Sequence, residues 1–299
     1  MSKPWVIDAS GLWKQYGEVE ALRGLNLQVP AGSIYGFLGR NGAGKTTTIK
    51  VLLGMARPTT GSVAVLGQPA GAPGTSVDIR RRIGFVSDEK DLYDYMTVDG
   101  MIRFTAAFFP RWRPDLERRY LRAFELPADR RVKALSRGTR TKLALLLALC
   151  RGAELLILDE PTSGLDPAMT EEVLQALVGH VASEELTVFF SSHQIAEVEQ
   201  IADHVAIVDR GRTVVAGALD DLREQYCRVQ LVFDEDAPAA TFQAPGVARV
   251  RRKGRVLTVL SSAGAERIVE EARALNPVSV DVAAVTLKEI FLETVVGEA

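Results

Sequence analysis

A glycine-rich segment near the N-terminus has the residue types that bind phosphate groups. Residues 39–47 read GRNGAGKTT, follow an apolar run and precede a helical one. The spacing fits G-x-x-x-x-G-K-[ST], in which glycines let backbone N–H groups wrap around phosphates at a helix N-terminus. Lys45 would bring positive charge to the outer phosphates, and the Thr46 hydroxyl could ligate Mg²⁺.

The alternative interpretation of this segment is a glycine-rich turn with a chance lysine. The order of strand, loop and helix favours a phosphate site over such a turn. The candidate phosphate-binding residues are Gly39, Arg40, Asn41, Gly42, Ala43, Gly44, Lys45, Thr46 and Thr47.

A second candidate site lies at the end of a strongly apolar run. Residues 155–160 read LLILDE, so a central strand would end with two carboxylates, Asp159 and Glu160. Because ligands of open α/β sheets bind at the carboxyl ends of strands, Asp159 could hold Mg²⁺ through water, and Glu160 could polarise an attacking water. The alternative is a strand that ends in a charged loop, and the phosphate segment in the same chain makes it the weaker interpretation.

Both segments need a sheet that brings them to one edge. From residue 6 to about 222, short β-rich runs alternate with helical stretches, which predicts an α/β fold with a mostly parallel sheet. The candidate strands are 34–38, 83–87, 155–158, 187–191 and 205–209. A mostly helical insert at about 97–148 separates the second from the third. Its apolar residues at helical spacing are Met101, Phe104, Leu116, Tyr120, Leu121 and Phe124.

The character of the sequence changes after residue 222. Strand-like runs RVQLVF and VARVRRKGRVLTVLSS, the latter with a turn at Lys253 and Gly254, precede a helical AERIVEEARAL, a strand-like VSVDV and an amphipathic LKEIFLETV. This order predicts a small α+β appendage over about 225–299, with a loop at 236–245.

Composition restricts the class of protein. The 299 residues are 47% hydrophobic and 25% charged, which is typical of a globular protein and excludes a disordered chain. The formal net charge of −2 gives no sign of a nucleic-acid partner, and none is expected. Two cysteines favour a reducing compartment. The longest apolar run, residues 143–150, is too short to span a bilayer, so we expect no membrane crossing by this chain.

Five segments in fixed order give the chain a specific resemblance. GRNGAGKTT at 39–47, LSRGT at 135–139, LLILDE at 155–160, SGLD at 163–166 and His193 after VFFSS resemble the ATP-binding subunits of ABC transporters, over residues 6 to about 222. The resemblance implies an α/β fold of the P-loop NTPase type, an ABC cassette with a mixed sheet core and a helical subdomain at about 89–148. The predicted domains are an ATP-binding domain at 1–224 and an accessory α+β domain at 225–299.

The family closes two such domains head to tail around two ATP molecules. By resemblance, Ser136 and Gly138 of one subunit would contact the γ-phosphate bound by Lys45 of the other. The segment departs from the family's commonest LSGGQ, because Arg137 and Thr139 replace a glycine and the glutamine. The resemblance also places His193 near the γ-phosphate. It puts Asp166 in the nucleotide site, although Asp166 could simply cap the helix that begins at Pro167.

Two further site residues are implied by the resemblance alone. Asp88 stands where the family usually has a glutamine beside Mg²⁺ and the attacking water, with Glu89 as the alternative. Tyr16 resembles the aromatic residue on which the family stacks adenine, and the alternative is a half-buried strand tyrosine. The predicted catalytic residues are Glu160, His193 and Lys45. The predicted metal ligands are Thr46, Asp159 and Asp88.

The resemblance implies a function with named partners. The chain would be an ATPase that uses ATP and Mg²⁺, forms a homodimer or a heterodimer with a second such subunit, and drives export through a separate integral membrane permease. It would then lie in the cytoplasm, on the inner face of the membrane through that permease. Two alternatives stay open: a soluble ATPase of the same type that is not coupled to transport, and a subunit that binds ATP without hydrolysing it.

Overall fold

The computed structural model describes residues 4–72, 75–184 and 186–295. The chain forms two compact units, Met1–Thr213 and Val214–Ala299. The predicted domain boundary at 224/225 follows the change in composition, whereas clustering of contacts between residues divides the chain at 213/214. The ends of the predicted domains, residues 1–3 and 296–299, lie outside the described residues.

A six-stranded sheet positions the segments that carry the candidate site residues. Its strands are β3 (Ile34–Gly39), β6 (Ile83–Val86), β7 (Leu155–Asp159), β8 (Thr187–Ser192), β9 (His204–Asp209) and β10 (Arg212–Ala218). Their order in the sheet is β10-β9-β3-β8-β7-β6, and the pairs among β9, β3, β8, β7 and β6 are parallel. Every residue of β3, β7 and β8 is buried, as continuous apolar runs in a central parallel sheet require. All five predicted strands lie in this sheet.

A second, antiparallel sheet was not predicted as a separate layer. Its order is β2-β1-β4-β5, with strands β1 (Trp5–Tyr16), β2 (Val19–Pro30), β4 (Thr60–Val65) and β5 (Gln68–Pro69). Irregular pairing between β1 and β2 interrupts the simple alternation of polar and apolar residues that reveals a strand. One hydrophobic cluster joins both sheets to the helix after β3, and it includes Ile7, Leu25, Phe37, Ile49 and Phe189.

Helices follow the strands of the first unit and form the insert. They are α1 (Lys45–Leu52), α2 (Thr75–Arg82), α3 (Val98–Ala106), α4 (Pro114–Ala123), α5 (Arg137–Leu149), α6 (Pro167–Glu184) and α7 (Ile195–Ile201), with a 3-10 turn at Val132–Ala134. Helices α3 to α5 lie between β6 and β7, as the predicted insert requires. None of the helices within the described ranges is long and apolar enough to cross a bilayer.

Four of the six apolar residues predicted for the insert lie in its core, whereas Leu121 is half-buried and Phe104 is exposed. Met101, Leu116, Tyr120 and Phe124 are buried, as the helical spacing predicts. Phe104 was expected on the same apolar face, but it is 39% exposed and packs edge-on against Phe108. Spacing alone does not separate a core side chain from one that lies at the rim of the core.

The C-terminal unit has the predicted α+β organisation. Its elements are α8 (Leu219–Gln225), β11 (Cys227–Val232), β12 (Val247–Lys253), β13 (Val256–Ser261), α9 (Glu266–Arg273), β14 (Ser279–Ala284) and α10 (Leu287–Val295). The strands form an antiparallel sheet in the order β12-β13-β11-β14. Apolar residues of β11 and β13 pack against Ile268 and Ala272 of α9. The unit therefore has a hydrophobic core of its own.

Candidate active site

The glycine-rich loop joins the end of β3 to the start of α1. Gly39 is the last residue of β3, and Gly44 caps α1, whose first residue is Lys45. Gly44 has a φ of +107°, and a Cβ built on it would lie 2.8 Å from the Ala21 carbonyl oxygen. Only glycine satisfies both conditions, so the loop brings its backbone N–H groups to the helix N-terminus in the geometry that suits an anion.

Lys45 is buried, and its ammonium group is held within the loop. Nζ donates to the carbonyl oxygens of Gly39 at 2.8 Å and Arg40 at 3.4 Å. It also lies 3.1 Å from Oε1 of Glu160. The ammonium group of Lys45 therefore contacts both the glycine-rich loop and the carboxylate that follows β7.

Glu160 connects the ends of three strands. It follows β7, its Oε1 pairs with Lys45 after β3, and its Oε2 lies 2.7 Å from Nδ1 of His193 after β8. An ionised carboxylate only accepts hydrogen bonds, so Nδ1 is the donor in this pair and Nε2 is the imidazole nitrogen that faces no partner from Glu160 and is left for a ligand. The structure thus brings together Lys45, Glu160 and His193, the three residues predicted to be catalytic. Their roles remain predictions.

Asp159 is fixed by a serine that sequence analysis missed. Asp159 is only 4% exposed, and its Oδ1 accepts a 2.6 Å hydrogen bond from Ser191 Oγ. The same Oγ accepts from the backbone N–H of Glu160 at 3.0 Å. Ser191 therefore orients both carboxylate residues. The available signal was a polar residue at the carboxyl end of the apolar strand VFFSS.

The oxygen donors at this edge fit Mg²⁺. Helix α1, which carries Thr46, packs against β7, which carries Asp159. A hydroxyl and a carboxylate are ligands that Mg²⁺ accepts, and Mg²⁺ commonly uses one or two carboxylates together with substrate phosphates. In the part of the chain that the structure describes, no three His, Cys, Asp or Glu side chains form a metal cluster. A hydroxyl together with one carboxylate suits an ion whose other ligands are water and phosphate oxygens.

The loop after β6 also enters this region. Asp88 is half exposed and lies 3.7 Å from Nζ of Lys90. Lys90 is only 5% exposed, and its Nζ donates to the backbone carbonyl of Glu160 at 3.1 Å. Burial holds the pKa of Lys90 below its usual value, the charge of Asp88 opposes this shift, and Arg137 adds to it. The burial of Lys90 could not be predicted from the sequence, because a lysine in a charged loop carries no local signal of burial.

The segment LSRGT forms the start of α5. Ser136 is exposed, caps the helix and accepts a 3.1 Å hydrogen bond from the backbone N–H of Thr139. Gly138 is buried, and a Cβ on it would lie 2.1 Å from Sδ of Met169. Arg137 donates to Ser163 Oγ at 3.3 Å. The expected contacts of Ser136 and Gly138 are with a partner subunit, so they remain predictions.

Two predicted nucleotide contacts have structural roles within the chain. Asp166 Oδ1 accepts a 3.0 Å hydrogen bond from the backbone N–H of Met169, and thus caps α6. Tyr16 ends β1 and is half exposed, with Nζ of Lys14 at 4.7 Å from the centre of its ring. These contacts agree with the simpler interpretation of each residue. Their contacts with nucleotide remain predictions.

The fold and the site define a class of protein. A parallel sheet, a glycine-rich loop at a helix N-terminus and acidic residues at the end of β7 are the parts of a P-loop nucleoside triphosphate-binding domain. The family model described as ABC transporter matches residues 22–163.

Relatives narrow that class. The Nod factor export ATP-binding protein I of Ralstonia nicotianae is 33% identical over 260 residues, which cover 84% of this chain and 80% of that protein. The bacitracin transport ATP-binding protein BcrA of Bacillus licheniformis is 35% identical over 231 residues, 76% of this chain and 75% of the relative. A solved dimeric bacterial ABC transporter cassette has a TM-score of 0.65 at 23% identity, over 71% of this chain and 98% of the cassette.

The chain belongs to the family of ABC transporter ATP-binding proteins. The predicted family and the α/β fold of an ABC cassette are thereby confirmed.

Proposed function

We propose that this chain hydrolyses ATP to ADP and phosphate with the help of Mg²⁺. The observation that carries the proposal is the arrangement around Glu160, whose carboxylate contacts Lys45 at 3.1 Å and His193 at 2.7 Å. A carboxylate beside a phosphate loop, in contact with two groups that can bear positive charge, is suited to orient a water for attack on a phosphoryl group.

Each residue has a distinct task in this reaction. Glu160 orients the water that attacks the γ-phosphorus and accepts its proton as the bond to the β-phosphate oxygen breaks. Lys45 and His193 stabilise negative charge on the transferred phosphoryl group. Thr46, Asp159 and Asp88 would hold Mg²⁺, which when bound neutralises phosphate charge. Ser191 keeps the Asp159 carboxylate and the Glu160 backbone in fixed orientation.

The purified wild-type chain should release phosphate from ATP in the presence of Mg²⁺. Light scattering on the same sample should show an ATP-dependent shift from monomer to dimer. Binding of ATP without phosphate release would contradict the proposal and support the alternative of a subunit that binds ATP without hydrolysing it. Phosphate release without any dimer would leave the chain an ATPase and contradict the dimeric site.

We expect Asp88, rather than Glu89, to act beside the attacking water. Loss of a charged acceptor costs about 1.5–3 kcal/mol, so Asp88→Asn should lower ATP turnover by about 10- to 150-fold. Glu89→Gln, the matched control on the adjacent residue, should stay within about twofold of the wild type. Initial rates of phosphate release at saturating ATP measure both. The reverse order of effects would assign the role to Glu89.

The proposed active form is a dimer in which each subunit completes the site of the other. Ser136 and the backbone at Gly138 would contact the γ-phosphate bound by Lys45 of the partner subunit. The exposed Ser136 hydroxyl at the N-terminus of α5 supports this proposal, because a helix N-terminus stabilises negative charge. The dimeric state of the related cassette agrees with it. The dimer would contain two copies of this chain or one copy with a second ATP-binding subunit.

The proposed partner outside the dimer is an integral membrane permease. The helical insert and the loop before it expose four aromatic side chains, Tyr93, Tyr95, Phe104 and Phe108. Tyr93 contacts both Tyr95 and Phe104, and Phe104 contacts Phe108. A cavity of about 280 Å³ beside α3 is lined by residues that include Leu92 and Met101. Exposed apolar patches of this kind mark protein interaction sites. The chain would then lie on the cytoplasmic face of the membrane through that contact.

The proposed direction of transport is export. One relative is named for Nod factor export and another for bacitracin transport. The C-terminal unit beyond the cassette ends in the amphipathic helix α10, and this segment resembles the C-terminal extension of export-type subunits.

A further inference from the structure

Lys90 is a buried cation to which the proposed reaction assigns no task. It lies in the loop that follows β6 and leads to the helical insert, and its side chain reaches the end of β7. Its Nζ is closer to the Glu160 carbonyl oxygen, at 3.1 Å, than to Oδ1 of Asp88, at 3.7 Å. Because a buried ammonium is unfavourable unless it is paired or hydrogen-bonded, this placement calls for a reason.

The backbone of Glu160 provides that reason. Glu160 has a φ of +48°, a left-handed conformation that is uncommon for a residue with a side chain. Its carbonyl oxygen accepts hydrogen bonds from Lys90 Nζ and, at 3.2 Å, from the backbone N–H of Ser163, while its own N–H donates to Ser191 Oγ. The unusual conformation is therefore held on both sides of the residue.

Lys90 is itself in a constrained turn. Its φ is +50°, and its backbone N–H donates to the carbonyl oxygen and to Oγ of Ser87, at 3.3 and 3.1 Å. The start of the side chain is thus fixed by the loop, and the end of it is fixed by Glu160. A movement of the loop would therefore displace the Glu160 backbone through the Lys90 side chain.

We propose that Lys90 is a positioning residue for Glu160. Its ammonium group, bonded to the Glu160 carbonyl, keeps the backbone in the conformation that directs the carboxylate toward Lys45 and His193. It thereby connects the loop leading to the helical insert with the proposed water-orienting group. The inference rests on the proposed role of Glu160 in ATP hydrolysis.

The first test compares Lys90→Met with Lys90→Arg and a control lysine. Lys142→Met is the control. Lys142 is also a partly buried lysine, and its Nζ pairs at 2.6 Å with Glu172, which is not part of the proposed site. We expect Lys90→Met to lower kcat by about 10- to 100-fold, as a small misplacement of a catalytic group does. The KM for ATP should change by less than about threefold, because Glu160 acts after binding. Lys90→Arg should recover most of the loss, and Lys142→Met should stay within about twofold of the wild type.

The second test needs no turnover. Hydrogen–deuterium exchange of the nucleotide-free chain, read on peptides that cover residues 158–163, should be faster in Lys90→Met than in the wild type, Lys90→Arg or Lys142→Met. Unchanged exchange in Lys90→Met would overturn the inference, even if the wild-type chain hydrolysed no ATP. Absence of wild-type hydrolysis would by itself contradict only the proposed function.

Other outcomes also count against the inference. Equal losses of kcat in Lys90→Met and Lys142→Met, or a raised KM with unchanged kcat, would indicate a general structural effect and overturn it. Turnover in Lys90→Arg no better than in Lys90→Met would exclude the donated hydrogen bond as the cause. If the methionine variant does not fold, Lys90→Gln takes its place, because its shorter polar side chain ends short of the Glu160 carbonyl.

Discussion

Substitution of Glu160 by glutamine should reduce ATP turnover by about 10²- to 10⁴-fold, the usual contribution of a general base. Glutamine has nearly the same shape, but its amide neither accepts a proton from water nor carries the charge that orients His193 at 2.7 Å. The substitution therefore removes the proposed chemistry while it leaves the phosphate loop intact.

Nucleotide binding should survive this substitution. Glu160 and Lys45 form an ion pair at 3.1 Å in which both side chains are largely buried, so the carboxylate competes with phosphate for the same ammonium group. Glutamine removes that competition. We therefore expect Glu160→Gln to bind ATP at least as tightly as the wild type and to accumulate an ATP-bound dimer.

Three measurements on one preparation test this expectation. Phosphate release gives turnover, equilibrium titration gives affinity for ATP, and light scattering gives the dimer fraction. Glu172→Gln is a suitable control, because it neutralises a more exposed carboxylate that pairs with Lys142 away from the site. Wild-type turnover in Glu160→Gln would refute the assigned role. A parallel loss of binding would show that Glu160 supports the loop rather than the reaction.

The parts of this site that could be predicted from sequence are those encoded by contiguous residues. The loop at 39–47 and the pair Asp159 and Glu160 each combine strand, turn and polar side chain within one short segment. Parallel pairing of β3, β8 and β7 then brings the ends of these segments to one edge. The position of His193 next to Glu160 follows from the same pairing, because its strand lies between the other two.

The parts that could not be predicted depend on contacts between distant residues. Lys90 lies 70 positions before Glu160 and stands in no motif that indicates this contact. Ser191 lies 31 positions after Glu160 at the end of a strand, which indicates this edge of the sheet but not the residues that it contacts. The left-handed conformation of Glu160 could not be predicted either. Glycine is the residue that signals this conformation in a sequence, and most of the described residues with a positive φ are glycines. The antiparallel sheet of β1, β2, β4 and β5 was missed because irregular pairing obscures its periodicity.

Substitution of Lys45 by methionine should impair binding as well as turnover. The ammonium group sits within the loop, where Gly39 and Arg40 carbonyls hold it at 2.8 and 3.4 Å. Loss of one charged contact to phosphate costs about 1.5–3 kcal/mol in affinity, or about 10- to 150-fold. Loss of the same charge in the transition state should lower kcat by about a further 10²- to 10³-fold.

Methionine at position 45 also leaves Glu160 without one of its two partners. A buried carboxylate that loses its ion-pair partner is unfavourable, so we expect the thermal midpoint to fall as well as the affinity.

Lys50→Met is the matched control, since Lys50 lies on the same helix and is exposed. We expect Lys45→Met to have a lower ATP affinity, a lower rate of phosphate release and a lower thermal midpoint than Lys50→Met. ATP affinity in Lys45→Met equal to that of Lys50→Met would contradict the phosphate-binding role of the loop lysine. A fall in thermal midpoint without loss of affinity would limit Lys45 to supporting Glu160.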